Sequence, residues 1–217
     1  MKKCIILANG KPPKKDVVLF LNKNGFNNLI CADGGANYAK RLNLIPDYII
    51  GDMDSISPEI LEYYSGKSGI LKINRQDDTD VEKCLKFVIK KKCKECVLLG
   101  GTGNRLDHSF CNLGIILKFS DRIRIILISE KSMLTVEKGN VKLKTAMNET
   151  ISVYAFNNKT FITSEGLKFP LRNDTLPFGT RESTSNISVG NEVNLHIKGG
   201  KVFLIRNFDT VRKNGLF

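Results

Sequence analysis

Tryptophan is absent from the 217 residues, and histidine occurs only at His108 and His196. Two histidines so far apart do not make a zinc-ligand spacing. The six cysteines are Cys4, Cys31, Cys84, Cys93, Cys96 and Cys111, and they include a single C-x-x-C, Cys93–Cys96, with no second to complete a metal site. It reads as a helix end and a strand start that carry cysteine. A disulfide framework is not expected in a chain of this size without an export signal. No apolar run approaches the roughly 20 residues that a bilayer span needs; Ile125–Ile128 and Cys96–Leu99, for example, fall far short. The N-terminal apolar stretch stops at Asn9-Gly10, with Pro12-Pro13 close behind, so no signal-peptide core forms. A cytoplasmic protein without membrane contact is expected.

Acidic residues are the minority, 22 against 34 basic ones, for a net charge of +12. A polyanionic partner must then be weighed. The densest basic run, Lys90-Lys91-Lys92 with Lys94 and the nearby Lys83 and Lys86, falls on the polar side and end of a predicted helix. It reads as a solvated face at a helix C-terminus, which favours cations. No nucleic-acid partner is expected.

The first half alternates short apolar runs with helical patterns. Strands are predicted at 4–8, 28–32, 47–50, 69–73, 97–99 and 122–128, and helices at 16–23, 36–42, from Ser57-Pro58, and at 80–91. In the last of these, Val81, Cys84, Leu85, Val88 and Ile89 form one apolar stripe, and Thr79 with Glu82 has the spacing of a capping box. This alternation predicts an α/β fold with a mostly parallel sheet and flanking helices over residues 1–125. From 126 to 217 helical periodicity gives way to short alternating strands, and a smaller all-β domain is predicted. Within it, 193–198 and 201–205 are read as a hairpin joined by Gly199-Gly200.

Acidic residues gather where the predicted strands end. Asp33 follows the second strand, Asp52 and Asp54 the third, and Asp77, Asp78 and Asp80 the fourth. Open parallel sheets bind ligands beyond those ends. Any one of these aspartates reads equally as a turn or cap residue; three successive strand ends point to carboxylates gathered around a cation. Hard oxygen ligands suit Mg²⁺ bridging a substrate's phosphates. Two glycine-rich stretches, Asp33-Gly34-Gly35 and Gly100-Gly101-Thr102-Gly103-Asn104-Arg105, allow backbone to approach a phosphate, and Arg105 adds a guanidinium. Neither a G-x-x-x-x-G-K-[ST] loop nor a G-x-G-x-x-G after the first strand is present. A metal-assisted reaction on a phosphate-bearing small molecule is what remains.

Four ordered blocks carry a resemblance. They are Cys31-Ala32-Asp33-Gly34-Gly35-Ala36-Asn37; Pro46-Asp47 with Gly51-Asp52-Met53-Asp54-Ser55; Asp77-Asp78-Thr79-Asp80 with Lys83-Cys84-Leu85; and Gly100 through His108. With Gly166-Leu167-Lys168, Leu176-Pro177-Phe178-Gly179 and Ser183-Thr184-Ser185-Asn186, the set resembles thiamine pyrophosphokinase over nearly the whole chain.

The resemblance implies an α/β nucleotide-binding domain followed by a thiamine-binding β-sandwich. It also implies a homodimer that shares its thiamine sites and transfers the pyrophosphoryl group of ATP to thiamine. On it, Asp52, Asp54 and Asp80 are the Mg²⁺ ligands, and Asp33 is a further catalytic acid beside the phosphates. Gly34, Gly35, Thr79, Gly100, Gly101, Thr102, Arg105 and Asp107 belong to the nucleotide site, and Ser185 and Asn186 to thiamine. Asp33 and Asp80 are both candidates for accepting the hydroxyl proton. Some members set a tryptophan against thiamine; here Phe178 or another apolar residue would have to serve. A pyrophosphokinase for another hydroxymethyl heterocycle, such as a pterin, is the alternative, and a basic nucleic-acid-binding protein is a more distant one.

Overall fold

Near-continuous apolar runs suit strands that are covered on both faces, and the first half of the chain builds such a sheet. The computed structural model describes residues 1–75, 77–103 and 105–217, which divide into two compact units, Met1–Ser129 and Glu130–Phe217. In the first unit the order is β1 (Lys3–Leu7), α1 (Lys15–Lys23), β2 (Asn28–Ala32), α2 (Gly35–Arg41), β3 (Tyr48–Gly51), α3 (Pro58–Tyr64), β4 (Gly69–Lys72), α4 (Asp80–Lys90), β5 (Glu95–Leu99), α5 (Leu106–Phe119) and β6 (Arg124–Ile128). All neighbouring strands are parallel, in the order β4-β3-β2-β1-β5-β6. The unit boundary falls after Ser129 and not at 125/126, because β6 is paired with β5 from Glu95↔Arg124 to Leu99↔Ile128.

The chain moves outward from β1 through β2, β3 and β4, then crosses back to place β5 and β6 on the other side of β1. That reversal opens a crevice beyond the C-terminal ends of β1 and β5. The central strands supply the core: Cys4 through Leu7, Ile30, Cys31, Ile49, Ile50 and Val97 through Leu99 are buried. Helix α4 turns Val81, Cys84, Leu85 and Val88 inward. Its cap is half of the expected box. The Thr79 hydroxyl accepts from the Glu82 amide at 3.2 Å, whereas the Glu82 carboxylate accepts from Lys118 on α5 at 2.6 Å. At α3, Pro58 takes the first turn, but the Ser57 side chain makes no capping bond. Among the described residues no helix is long and apolar enough to cross a membrane. All six cysteines are free thiols.

The second unit is antiparallel, with β7 (Ser132–Lys144), β8 (Thr150–Ala155), β9 (Phe161–Glu165), β10 (Asp174–Thr175), β11 (Ser183–Ile187) and β12 (Glu192–Asn207), and it ends in a short helix, α6 (Phe208–Lys213). The expected hairpin at Gly199-Gly200 is a correction: β12 runs straight through, paired with β7 from Glu192↔Lys144 to Asn207↔Ser132, with a register shift between Ile197 and Val202. A Cβ on Gly199 would stand 2.2 Å from the Lys159 carbonyl oxygen, so the glycine is there for a close approach. Before the shift β12 pairs with β9, and after it with β8. Val193, Leu195 and Ile197 of one half and Val202 and Leu204 of the other pack into one core with Ile151, Val153 and Ile162. The two halves thus make the sandwich. Helix α6, with Phe208 and Val211 buried, is the one departure from an all-β unit.

Candidate active site

At the end of β1 backbone packs closely against backbone. The Gly10 amide donates to the Gly100 carbonyl at 2.8 Å and the Lys11 amide to that of Thr102 at 2.7 Å. A Cβ on Gly10 would lie 2.4 Å from both carbonyl oxygens. Asn9 stands against Gly34, where a Cβ would come within 2.4 Å of its amide nitrogen. The two glycine-rich stretches therefore meet on Asn9-Gly10-Lys11, a segment that sequence reading had treated only as a strand end. Around it opens a cleft of ≈ 880 Å³, lined among others by Asn9, Asp52, Asp80, Lys83, Gly101 and Arg105. Such a volume suits a small phosphorylated ligand.

The acids converge at the neighbouring strand ends. Asp33 directly follows β2, Asp52 follows β3, and Asp80 opens α4. Carboxylate oxygens of these three lie within 4.8 Å of one another. Asp33 is buried and adopts φ +40. Its two oxygens accept from the amides of Ile56 at 3.1 Å and Ser55 at 3.3 Å, so Asp33 holds the turn that carries Asp52 and Asp54. Burial, helped by the charge of Asp80, raises its pKa to about 6. Asp54 differs from expectation: it is exposed and outside the trio, and its Oδ1 accepts from the Ser55 hydroxyl at 2.9 Å. Asp33 is in the trio beside Asp52 and Asp80, and Asp54 stands next to it on the Asp52 turn.

One cation is already built in. The Lys83 ammonium donates to Asp80 Oδ1 at 2.9 Å and stands 3.9 Å from Asp52 Oδ2, and the side chain is 3% exposed. Burial opposes its charge, but Asp80, Asp52 and Asp33 together outweigh burial and raise its pKa. Burial would raise the pKa of Asp52, yet Lys83 and neighbouring donors bring it below the ordinary carboxylate value. Burial raises Asp80, with Lys83 opposing and Asp52 and Asp54 adding to it. Asp52 Oδ1 remains buried without a hydrogen-bond partner. Three converging carboxylates with an orphaned oxygen, offset by one ammonium, leave room for a divalent cation held by oxygen.

The remaining predicted residues fall into two groups. Thr79 caps α4 and lines the cleft with Gly34, Gly100, Gly101, Thr102, Arg105 and Asp107. Gly35 packs against the end of β1, where a Cβ would lie 2.0 Å from the Leu7 carbonyl oxygen. Arg105 is paired with Asp107 at 2.5 Å and both are exposed; the guanidinium holds the Asp107 carboxyl well below its usual range. Asn112 of α5, buried, donates to the Gly101 carbonyl at 2.7 Å, and Ser109 accepts from the Gly103 amide at 3.3 Å. Neither was foreseen, because α5 itself was not. Asp78 lines the cleft too, held there by ion pairs to Arg75 and Lys86. Asn104 lies outside the described residues, as does Gln76.

Ser185 and Asn186 belong to the second unit. Ser185 is exposed on a bulge of β11, with φ +55, and its amide donates to the Ser152 hydroxyl at 2.9 Å. Asn186 is buried and largely committed. Its Oδ1 accepts from the Phe169 amide at 3.1 Å, and its Nδ2 donates to the Phe169 carbonyl at 2.7 Å. It therefore shapes the Phe169 segment, while Ser185 faces solvent. Phe178 is 62% exposed, as is Phe169.

Comparison with known proteins follows the same division. Residues 21–127 match the family model described as thiamin pyrophosphokinase, catalytic domain, and residues 137–202 the one described as thiamin pyrophosphokinase, vitamin B1 binding domain. Thiamine pyrophosphokinase 2 of Oryza sativa subsp. japonica is 33% identical over 189 residues, covering 73% of this chain and 70% of its own length. Thiamin pyrophosphokinase 1 of Caenorhabditis elegans is 28% identical over 191 residues, covering 81% and 77%. In fold, the chain is similar to the thiamine pyrophosphokinase of Bacillus subtilis, with a TM-score of 0.83 at 22% identity over 96% of this chain and 100% of that one. It is likewise similar to thiamin pyrophosphokinase from Candida albicans, with a TM-score of 0.85 at 18% identity over 95% and 88%.

Proposed function

This chain belongs to the thiamin pyrophosphokinase family, and on that footing we propose that it transfers the β,γ-pyrophosphoryl group of ATP to the hydroxyl of thiamine, leaving AMP. The observation that carries the reading is the joining of the carboxylate trio to a glycine-lined cleft in the matched catalytic stretch. Pyrophosphoryl transfer asks for positioned oxygens and neutralised charge more than for covalent chemistry. This cleft has glycine-lined backbone for the one and, for the other, carboxylates that would hold a neutralising cation.

Mg²⁺ is part of the proposal. Its ligands would come from Asp52, Asp80 and Asp33, with Asp54 close by on the same turn. When bound, the ion supplies charge neutralisation at the phosphates and at the departing AMP oxygen. The residues of this chain do the rest. Asp33 fixes the Asp52 turn through the Ser55 and Ile56 amides. The backbone around Gly10, Gly34 and Gly100 admits phosphate closely, and Arg105 offers a guanidinium once it exchanges Asp107 for substrate. Of the two candidate proton acceptors, Asp80 lines the cleft and Asp33 does not. Thiamine binding at Ser185, with Asn186 holding the Phe169 segment behind it, belongs to the same proposal, as does a homodimer.

The test is incubation of the full chain with ATP, Mg²⁺ and thiamine, followed by mass detection. AMP and thiamine diphosphate in equal amounts are expected. ADP in place of AMP, or product only with a hydroxymethyl pterin, overturns the reading.

A further inference from the structure

Lys83 is one of 34 basic residues, yet its side chain is almost wholly buried and ends among carboxylates. It sits one helical turn after Asp80 on α4, so its ammonium returns to the strand ends instead of reaching solvent. The 2.9 Å bond to Asp80 Oδ1 and the 3.9 Å approach to Asp52 Oδ2 tie together acids from two different elements. A bare cluster of three carboxylates would attract any cation. One with a fixed ammonium inside has less attraction for a free divalent ion and more for an anion, because Coulomb terms are strong where water is excluded. An ammonium also has three donors, and among the described residues that of Lys83 makes one hydrogen bond, to Asp80 Oδ1.

We propose that Lys83 is a positioning residue and the resident counter-cation of this cleft. It holds Asp80 and Asp52 in place and lowers the affinity of the trio for a free divalent ion. The site then fills when the ion arrives together with a polyphosphate, whose oxygens the same ammonium attracts. This rests on the reading of the cleft as a nucleotide and divalent-cation site.

The experiment uses the full chain and no turnover. Free Mn²⁺ binding is followed by electron paramagnetic resonance, and α,β-methylene-ATP binding by calorimetry, for wild type, Lys83→Met and Lys83→Arg. In Lys83→Met, Mn²⁺ should bind about tenfold more tightly and the analogue about tenfold more weakly; Lys83→Arg should move both back toward wild type. A purely structural lysine would not shift the two affinities in opposite directions. A folded Lys83→Met with unchanged or weaker Mn²⁺ binding overturns the inference. If Lys83→Met does not fold, Lys83→Gln takes its place, and failure of both to fold also overturns it in favour of a structural role. A wild-type chain that takes up neither probe overturns instead the reading of the cleft beneath it.

Discussion

Asp33 and Gly51 stand side by side at the ends of paired strands, and a Cβ on Gly51 would lie 2.6 Å from the Cβ of Asp33. The same Cβ would be 3.1 Å from Asp80 Oδ1. The missing side chain of Gly51 is what lets acids from β2 and α4 face one another.

Gly51→Ala should therefore separate the trio. The clash is with atoms at the root of Asp33, which cannot swing aside as a long side chain could. A stability loss of about 1–3 kcal/mol is expected from such overpacking. Mn²⁺ affinity and turnover should fall with it, by about 100-fold in turnover. Thermal unfolding and steady-state assays check both; a variant with normal Mn²⁺ affinity would show that the trio does not need this gap.

The acids on the Asp52 turn should separate in effect. Asp52 belongs to the trio and has an orphaned oxygen, whereas Asp54 is exposed and bonded to Ser55. Asp52→Asn is expected to reduce turnover about 100-fold or more, and Asp54→Asn only about tenfold. Mg²⁺ titrations of both variants decide it, and equal losses would place Asp54 among the ligands.

Asp33 should give the metal-free protein a pH signature. Its folded pKa is about 6 against an ordinary 3.8, so the native chain holds this proton more tightly than the unfolded chain. The stability it favours is present on the acid side and is lost as pH rises through about 6. In Asp33→Asn the corresponding slope in thermal stability between pH 4 and about 6 should flatten. Mn²⁺ affinity of the wild type should weaken as pH falls below about 6, since the protonated carboxyl attracts a cation less. An unchanged slope in the variant would refute the assignment.

In the second unit, Arg206 and Glu149 form a buried ion pair with bonds of 2.6 and 2.9 Å, and Arg206 also donates to the Lys144 carbonyl at 2.9 Å. Arg206→Met leaves the Glu149 charge buried alone and should cost about 3–5 kcal/mol. The double variant Glu149→Leu, Arg206→Met should recover much of that loss. Chemical denaturation of the three chains measures it, and additive losses would mean that the pair does not act as a unit.

Much of this molecule was legible in its amino-acid order. Strands β1 to β3, β5 and β6 announced themselves because a two-sided parallel sheet needs uninterrupted apolar runs, whereas the edge strand β4 is mostly exposed. Asp33, Asp52 and Asp80 were legible because acids repeated at successive strand ends have no common explanation as turns. Helix α5 was not, since Leu106 and Phe110 are exposed on it and blur the apolar period. Gly199-Gly200 looked like a hairpin because a glycine pair has the same local signature whether the chain turns or another strand comes close.

The sequence by itself determined the order of strands in the first unit, its α/β class and the identity of the acids, because these depend on periodicity and on neighbours along the chain. Tertiary structure alone decided how closely the acids meet, since the gap at Gly51 lets Asp33 approach Asp80. It also decided that Lys83 belongs inside the site and not on the basic surface. Burial and distance between side chains remote in sequence are set by packing, and the neighbours of Lys83, Glu82 and Cys84, carry no mark of where its ammonium ends.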